Sequence, residues 1–193
     1  IYSGQTTFIG IYGSNLIDFN EWTLLTFTYD GGSNPSSLKI YKNGSFFQDF
    51  EYTSNGGFSG MTQSNGEPFV IGSKIMNNGT PHLPFIGELD EGQVWNYVIS
   101  EEQIQSNMNT SLSGDESGLV GYWNFNDGEG TVLTDLSGNG NHGTITGATW
   151  SNDVPPTIGG NNAYTGGTIT YGSNPLGNSV GDFSYSFWVK LNK

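Results

Sequence analysis

Cysteine is absent, so no disulfide staples the fold and thiols say nothing about redox compartment. Arginine is absent too. Lysine occurs only at 39, 42, 74, 190 and 193, against 18 acidic residues, for a net charge of −13. A surface this acidic repels polyphosphates and anionic head groups, which argues against nucleic acid and anionic membrane as partners. No apolar run approaches the roughly 18 residues of a membrane helix, so no membrane insertion of that kind is expected. The amino terminus lacks a basic segment followed by an apolar one, and Ile1 opens directly into a strand-like pattern. An excerpt of a longer chain is expected, its export signal lying upstream or removed. Calcium, or neutral polar surfaces such as glycans, suit the charge better, although −13 also serves plain solubility.

What is present points to strands. Thirty glycines and many Asn, Ser and Thr accompany an apolar share of only 34%. That is the make-up of short strands joined by tight turns. Aromatics reach 14%, so the core is expected to be built from Phe, Tyr and Trp, and disorder is rejected. At 193 residues the chain suffices for one substantial sandwich.

Alternation with period two carries the assignment. Over 22–29, Trp22, Leu24, Thr26 and Thr28 fall on one face, and Leu25, Phe27 and Tyr29 on the other. Asp30-Gly31-Gly32 ends this strand. Leu38 and Ile40 then oppose Lys39 and Tyr41, and Asn43-Gly44 supplies a hairpin turn. Further strands are expected at 69–72, 85–98, 119–125, 144–150 and 183–189. One helix is expected over 100–108. Ser100 and Gln103 form a capping box, Glu101 and Glu102 sit in the first turn, and Ile104 and Met108 make one buried stripe. It reads as a lid on a sandwich end. Residues 110–117 read as a polar connector, and 151–160 as an irregular stretch.

Three groups of segments share one resemblance. Gly118 to Phe125, Gly128-Glu129-Gly130 and Asp135 to Gly143 resemble the opening of concanavalin A-like, laminin-G-type jelly-roll domains. Trp22 to Gly31 and Leu38 to Gly44 are similar to the family's central hairpin. Phe85 to Glu91, Val94-Trp95-Asn96 and Ser100 to Ile104 are similar to its closing strand and helix. The implied fold is an all-β, two-sheet antiparallel jelly-roll β-sandwich with one short capping helix. The implied function is a non-catalytic carbohydrate-binding or adhesion module of a secreted or cell-surface protein, a lectin in the broad sense. Its partner would be a glycan or cell-surface polysaccharide. The segment order is inverted: 1–113 resembles the C-terminal part of the family domain and 118–193 its N-terminal part. A permuted single sandwich, an excerpt of a tandem array, or parts shared between neighbouring copies each account for this. The last suggests a rival function, a structural spacer in a repetitive adhesin or filament assembled by strand exchange.

The segment Glu88-Leu89-Asp90 invites a glycoside hydrolase reading, because laminarinase-type enzymes set carboxylates on alternate strand residues. The third position, allowing for a bulge, is Gln93, which supplies no acid, and strict alternation sends Glu91 to the opposite face. No catalysis is expected. The loop 135–143 is the calcium candidate. Asp135, Asn139 and Asn141 offer side-chain oxygen on a glycine-rich turn, and Asp90 joins them if closing and opening strands are neighbours. The resemblance supports an ion, since laminin-G-type domains often carry calcium at a sandwich edge; the plainer alternative is that Asp135 accepts turn N–H bonds. His82 and His142 are too few for zinc and are read as structural or exposed. Of the aromatics, Trp22, Trp95, Trp123 and Trp188 are assigned to packing, whereas Tyr12, Tyr164, Tyr171 and Trp150 are the candidates for a sugar platform.

Overall fold

The computed structural model of the protein describes residues 8–61, 69–75, 81–82, 84–156, 160–172, 174–176 and 181–192. Within them the strands run β1 (Ile9–Gly13), β2 (Thr23–Tyr29), β3 (Leu38–Lys42), β4 (Ser45–Phe46), β5 (Phe50–Ser54), β6 (Val70–Ile71), β7 (Lys74–Ile75), β8 (Pro81–His82) and β9 (Gly87–Trp95). The helix α1 (Glu101–Asn107) follows. Then come β10 (Leu119–Trp123), β11 (Val132–Leu133), β12 (Gly143–Thr146), β13 (Thr149–Ser151), β14 (Ala163–Thr165), β15 (Thr168–Tyr171) and β16 (Phe183–Leu191).

The larger sheet runs β13-β14-β9-β16-β2-β3-β4, with β10 also on β9; the smaller runs β11-β12-β15-β6. Two ribbons, β1-β5 and β7-β8, complete the strand pairing. This is an all-β antiparallel architecture, as the alternation predicts. The centre of the larger sheet joins distant parts of the chain. Strand β16 pairs with β2 along 183–189 and with β9 along 184–191.

Local chemistry explains the elements. Asn43 and Gly44 have φ of 50° and 80°, the doubly positive pair of a tight hairpin turn between β3 and β4. The Asn43 side chain accepts the Leu24 N–H at 2.9 Å, tying that turn to β2. At α1 the Ser100 hydroxyl accepts the Gln103 N–H, which satisfies one donor the helix start leaves unpaired.

Adjacent residues of β2 feed two cores. Leu25 joins Leu89, Val94, Trp123, Phe125, Ile145, Ile169 and Val189 between the two sheets. Leu24 joins Tyr41, Trp95, Ile104, Tyr122 and Trp188 on the other face of the larger sheet. The second cluster corrects the reading of α1 as an end lid: Ile104 packs α1 over the sheet's outer face. Beneath this cover the small polar residues are paired. Thr26 and Ser186 hydroxyls meet at 2.9 Å, and the Ser184 hydroxyl accepts the Ile99 N–H and donates to the Tyr97 carbonyl.

The expected strand over 144–150 divides in two. Gly147 (φ 73°) turns the chain, and Gly167 lies so close to Ala148 that a side chain there would collide. Strand β12 therefore stays in the smaller sheet, and β13 crosses to the edge of the larger one.

Candidate functional site

Strand β9 is buried along its whole length, so its four acidic or amide side chains lie inside the molecule. The register against β16 slips between Ser186 and Trp188, whose partners are Gln93 and Asp90. The extra residue is accommodated at Glu91, whose φ is 50°. Gly92 is required there, because a Cβ would sit 2.5 Å from the Phe187 ring. The bulge overturns the strict alternation that sends Glu91 away from its neighbours. Its carboxylate instead accepts the Tyr122 hydroxyl at 2.7 Å, and Tyr122 is the cross-strand partner of Gln93.

Asp90 is 1% exposed. It lies where β10 ends and β14 begins along the same edge of β9. One carboxylate oxygen, Oδ1, accepts the Glu91 N–H at 2.8 Å. The other, Oδ2, has no hydrogen-bond donor among the described residues. It faces the space beside Gly160, 3.6 Å from where a side chain at 160 would begin, and Asn126 Oδ1 bounds the same space at 3.5 Å. Phe125, next to Asn126, has φ 54°. Burial, then the Glu91 charge, raise the Asp90 pKa to about 8, with the Glu91 N–H opposing. Burial raises Glu91 to about 7, with the Tyr122 hydrogen bond opposing. Glu88 is also buried, held by Lys190 Nζ at 3.1 Å and the Ser151 hydroxyl at 2.6 Å. Gln93 Oε1 accepts Trp95 Nε1 at 3.4 Å.

In the loop 135–143 the Asp135 carboxylate already has three donors. Oδ1 accepts Tyr122 N–H at 3.0 Å and Ser137 N–H at 2.9 Å, and Oδ2 accepts Asn141 N–H at 2.8 Å. The side-chain amides of Asn139 and Asn141 donate to strand carbonyls, Asn139 to Leu119 at 3.3 Å and Asn141 to Val120 at 2.7 Å. His142 Nδ1 accepts the Asp135 N–H at 3.1 Å. The loop is a clasp on β10 built from N–H donors. Asp90 is bonded to the Glu91 N–H, whereas Asp135 is bonded to Tyr122, Ser137 and Asn141. The side chain of His82 lies outside the described residues.

The sugar-platform candidates separate by burial. Tyr164 and Tyr171 are each 1% exposed and belong to the core between the sheets, which overturns their assignment to a surface platform. Strand periodicity at β14 and β15 turns their rings inward. Trp150 packs against the same core, its ring edge-on to Tyr164. Tyr12 alone of the four is well exposed, at 58%.

The position of Tyr12 follows from the ribbon. Ile11 and Gly13 pair with Tyr52 and Phe50, while Tyr12 pairs with Glu51 on the opposite face. Phe50 packs edge-on to Phe46 and Tyr52, so that face is the packed one. The other leaves Tyr12 outward, its hydroxyl donating to Glu51. With Ser14, Gln48, Asp49 and Glu51 it lines a cleft of about 510 Å³. Gly13 permits the tight approach: a Cβ would lie 2.5 Å from the Asp49 carbonyl oxygen. The Gly- and Asn-rich turn beside Tyr12 pointed to it as a loop tyrosine, whereas it lies in β1, and Asp49 and Glu51 were not legible as its companions. Their register against β1 depends on a pairing 39 residues apart.

No curated protein and no solved structure matches the chain. A family model described as Laminin_G_3, concanavalin A-like lectin/glucanases superfamily, matches residues 1–105. That span carries the central hairpin, the closing strand β9 and the start of α1, and the antiparallel sheets around it have the architecture this resemblance implies. The chain belongs to the concanavalin A-like lectin/glucanase superfamily, as a laminin-G-type domain.

Proposed function

We propose that the chain is a non-catalytic glycan-binding module of a larger secreted or cell-surface protein, and that its ligand lies on the outer face of the β1-β5 ribbon. One observation carries this reading: Tyr12 stands exposed in a cleft beside Asp49, Glu51, Gln48 and Ser14. An aromatic ring offers the apolar face of a sugar a flat partner, and the carboxylates and amide accept or donate to hydroxyls. The acidic groups of β9 support the non-catalytic side of the proposal. Glu88, Asp90 and Glu91 are under 10% exposed and hydrogen-bonded within the protein, which leaves them unsuited to act as the open carboxylate pair of a laminarinase-type cleft. Titration calorimetry against an oligosaccharide panel tests it. Tyr12→Ala weakens binding about tenfold or more, equivalent to ~1.4 kcal/mol. Unchanged affinity would remove this face as the ligand site.

A structural calcium ion is proposed at Asp90 rather than in the loop 135–143. Asp90 Oδ2, which has no donor among the described residues, is an oxygen of the kind calcium takes, and Glu91 adds negative charge; the nearby Asn126 Oδ1 already accepts the Asn161 and Asn162 N–H groups at 2.7 and 3.2 Å. The ion would supply the positive charge that two adjacent buried carboxylates lack. Thermal unfolding with calcium and with EDTA tests this. At about 100 times its Kd, calcium adds about 2.7 kcal/mol. An unchanged midpoint counts against the site.

A further inference from the structure

Resting on the reading of the Tyr12 cleft as a sugar site, we infer that its preferred ligand is an amine-bearing glycan, a polymer containing unacetylated amino-sugar residues. The selection comes from what the cleft offers. Its charged residues are Asp49 and Glu51, and among the described residues no Lys, Arg or His lines it. The lysine adjoining the ribbon's exit loop, Lys42, is already engaged by the Asn15 carbonyl and Asp18, both at 3.1 Å, and does not offset this charge. Ionised carboxylates accept hydrogen bonds and donate none. The Tyr12 hydroxyl spends its single proton on Glu51, so that corner of the cleft is an array of acceptors.

A neutral sugar fills such an array with ordinary hydroxyl donors. An ammonium group fills it with three donors and a positive charge, giving charge-assisted bonds of about twice the neutral strength. The Tyr12 face adds cation–π attraction for the same group. Acetylation removes both gains, because an N-acetyl nitrogen is uncharged and keeps one donor. Uronic or sulfated polymers are disfavoured further by the net charge of −13.

The test compares a fully deacetylated glucosamine oligomer, its N-acetylated counterpart, a neutral glucan oligomer of equal length and oligolysine, by calorimetry at low and physiological salt. Glu51→Gln and Tyr12→Ala are the site variants, and Asp182→Asn, an exposed acid on another part of the surface, is the charge-matched control. The expected result is deacetylated oligomer binding at least about tenfold tighter than the acetylated one, with the preference lost in Glu51→Gln and kept in Asp182→Asn. Salt weakens it. Equal binding of acetylated, neutral and deacetylated oligomers, still dependent on Tyr12, overturns the amine preference and leaves the glycan site standing. Binding by none, or binding indifferent to Tyr12→Ala, overturns both. Oligolysine binding as well as the amino sugar, with Asp182→Asn as damaging as Glu51→Gln, identifies unspecific charge attraction and also overturns the inference. Glu51→Gln keeps the side-chain shape at an exposed position, so it retains the fold even where Tyr12→Ala disturbs the ribbon.

Discussion

Residues that looked alike in composition do different work once their hydrogen bonds are known. Asp135 and Asp90 are both buried, yet one carboxylate is filled by three N–H donors and the other, among the described residues, keeps an oxygen without one. Removing the first leaves three backbone donors without their acceptor, so Asp135→Ala is expected to lose about 3 kcal/mol, read from urea midpoints. Asp90 governs pH dependence. Its folded pKa, about 8, and that of Glu91, about 7, lie above the ordinary values of 3.8 and 4.5. The folded state therefore binds more protons than the unfolded one, and in EDTA stability falls as pH rises from about 4 to about 8. Asp90→Asn is expected to flatten this slope and raise the midpoint at pH 8, measured by thermal unfolding across pH. Because the same variant removes the proposed calcium ligand, it is also expected to abolish any gain from calcium. A wild-type slope of the opposite sign would show that the acids are ionised and stabilised in the fold.

At the scale of elements, β2, the Asn43-Gly44 turn and α1 were legible because each rests on neighbours in sequence: alternation, paired positive φ angles, a cap and its third residue. The bulge in β9 was not. It exists because Phe187, from the far end of the chain, occupies the space over Gly92, and no local pattern announces that ring. Gly92→Ala is expected to cost about 1–3 kcal/mol through this clash, and Gly92→Ala with Phe187→Leu to recover part of it. An additive double variant would show that the ring is not what demands glycine. The break between β12 and β13 has a similar origin. Thr144 to Trp150 alternates as one strand would, but the close approach of Gly167 to Ala148 turns it at Gly147.

For the molecule as a whole, the inverted order of the family segments finds a structural counterpart in β16, which lies between β9 and β2. We read this as one sandwich completed by its own two parts. The connector between α1 and β10 is short and held: Glu116 accepts the Ser113 and Gly114 N–H groups, and Leu112 packs into the core under α1. Light scattering across a hundredfold concentration range is therefore expected to give a constant monomer mass. Mass rising with concentration would favour the spacer, with β16 donated between copies.

By itself the sequence determined the strand-rich class, the hairpin turns, the capped helix, the two-faced alternation of β2 and the resemblance that names the superfamily, since all of these are written in residues a few positions apart. Tertiary structure decided which of the candidate tyrosines meets solvent, which donors each buried aspartate receives, and which acids stand beside Tyr12. Those outcomes depend on what distant strands place over a side chain, and burial and hydrogen-bond partners are properties of the assembled sheets.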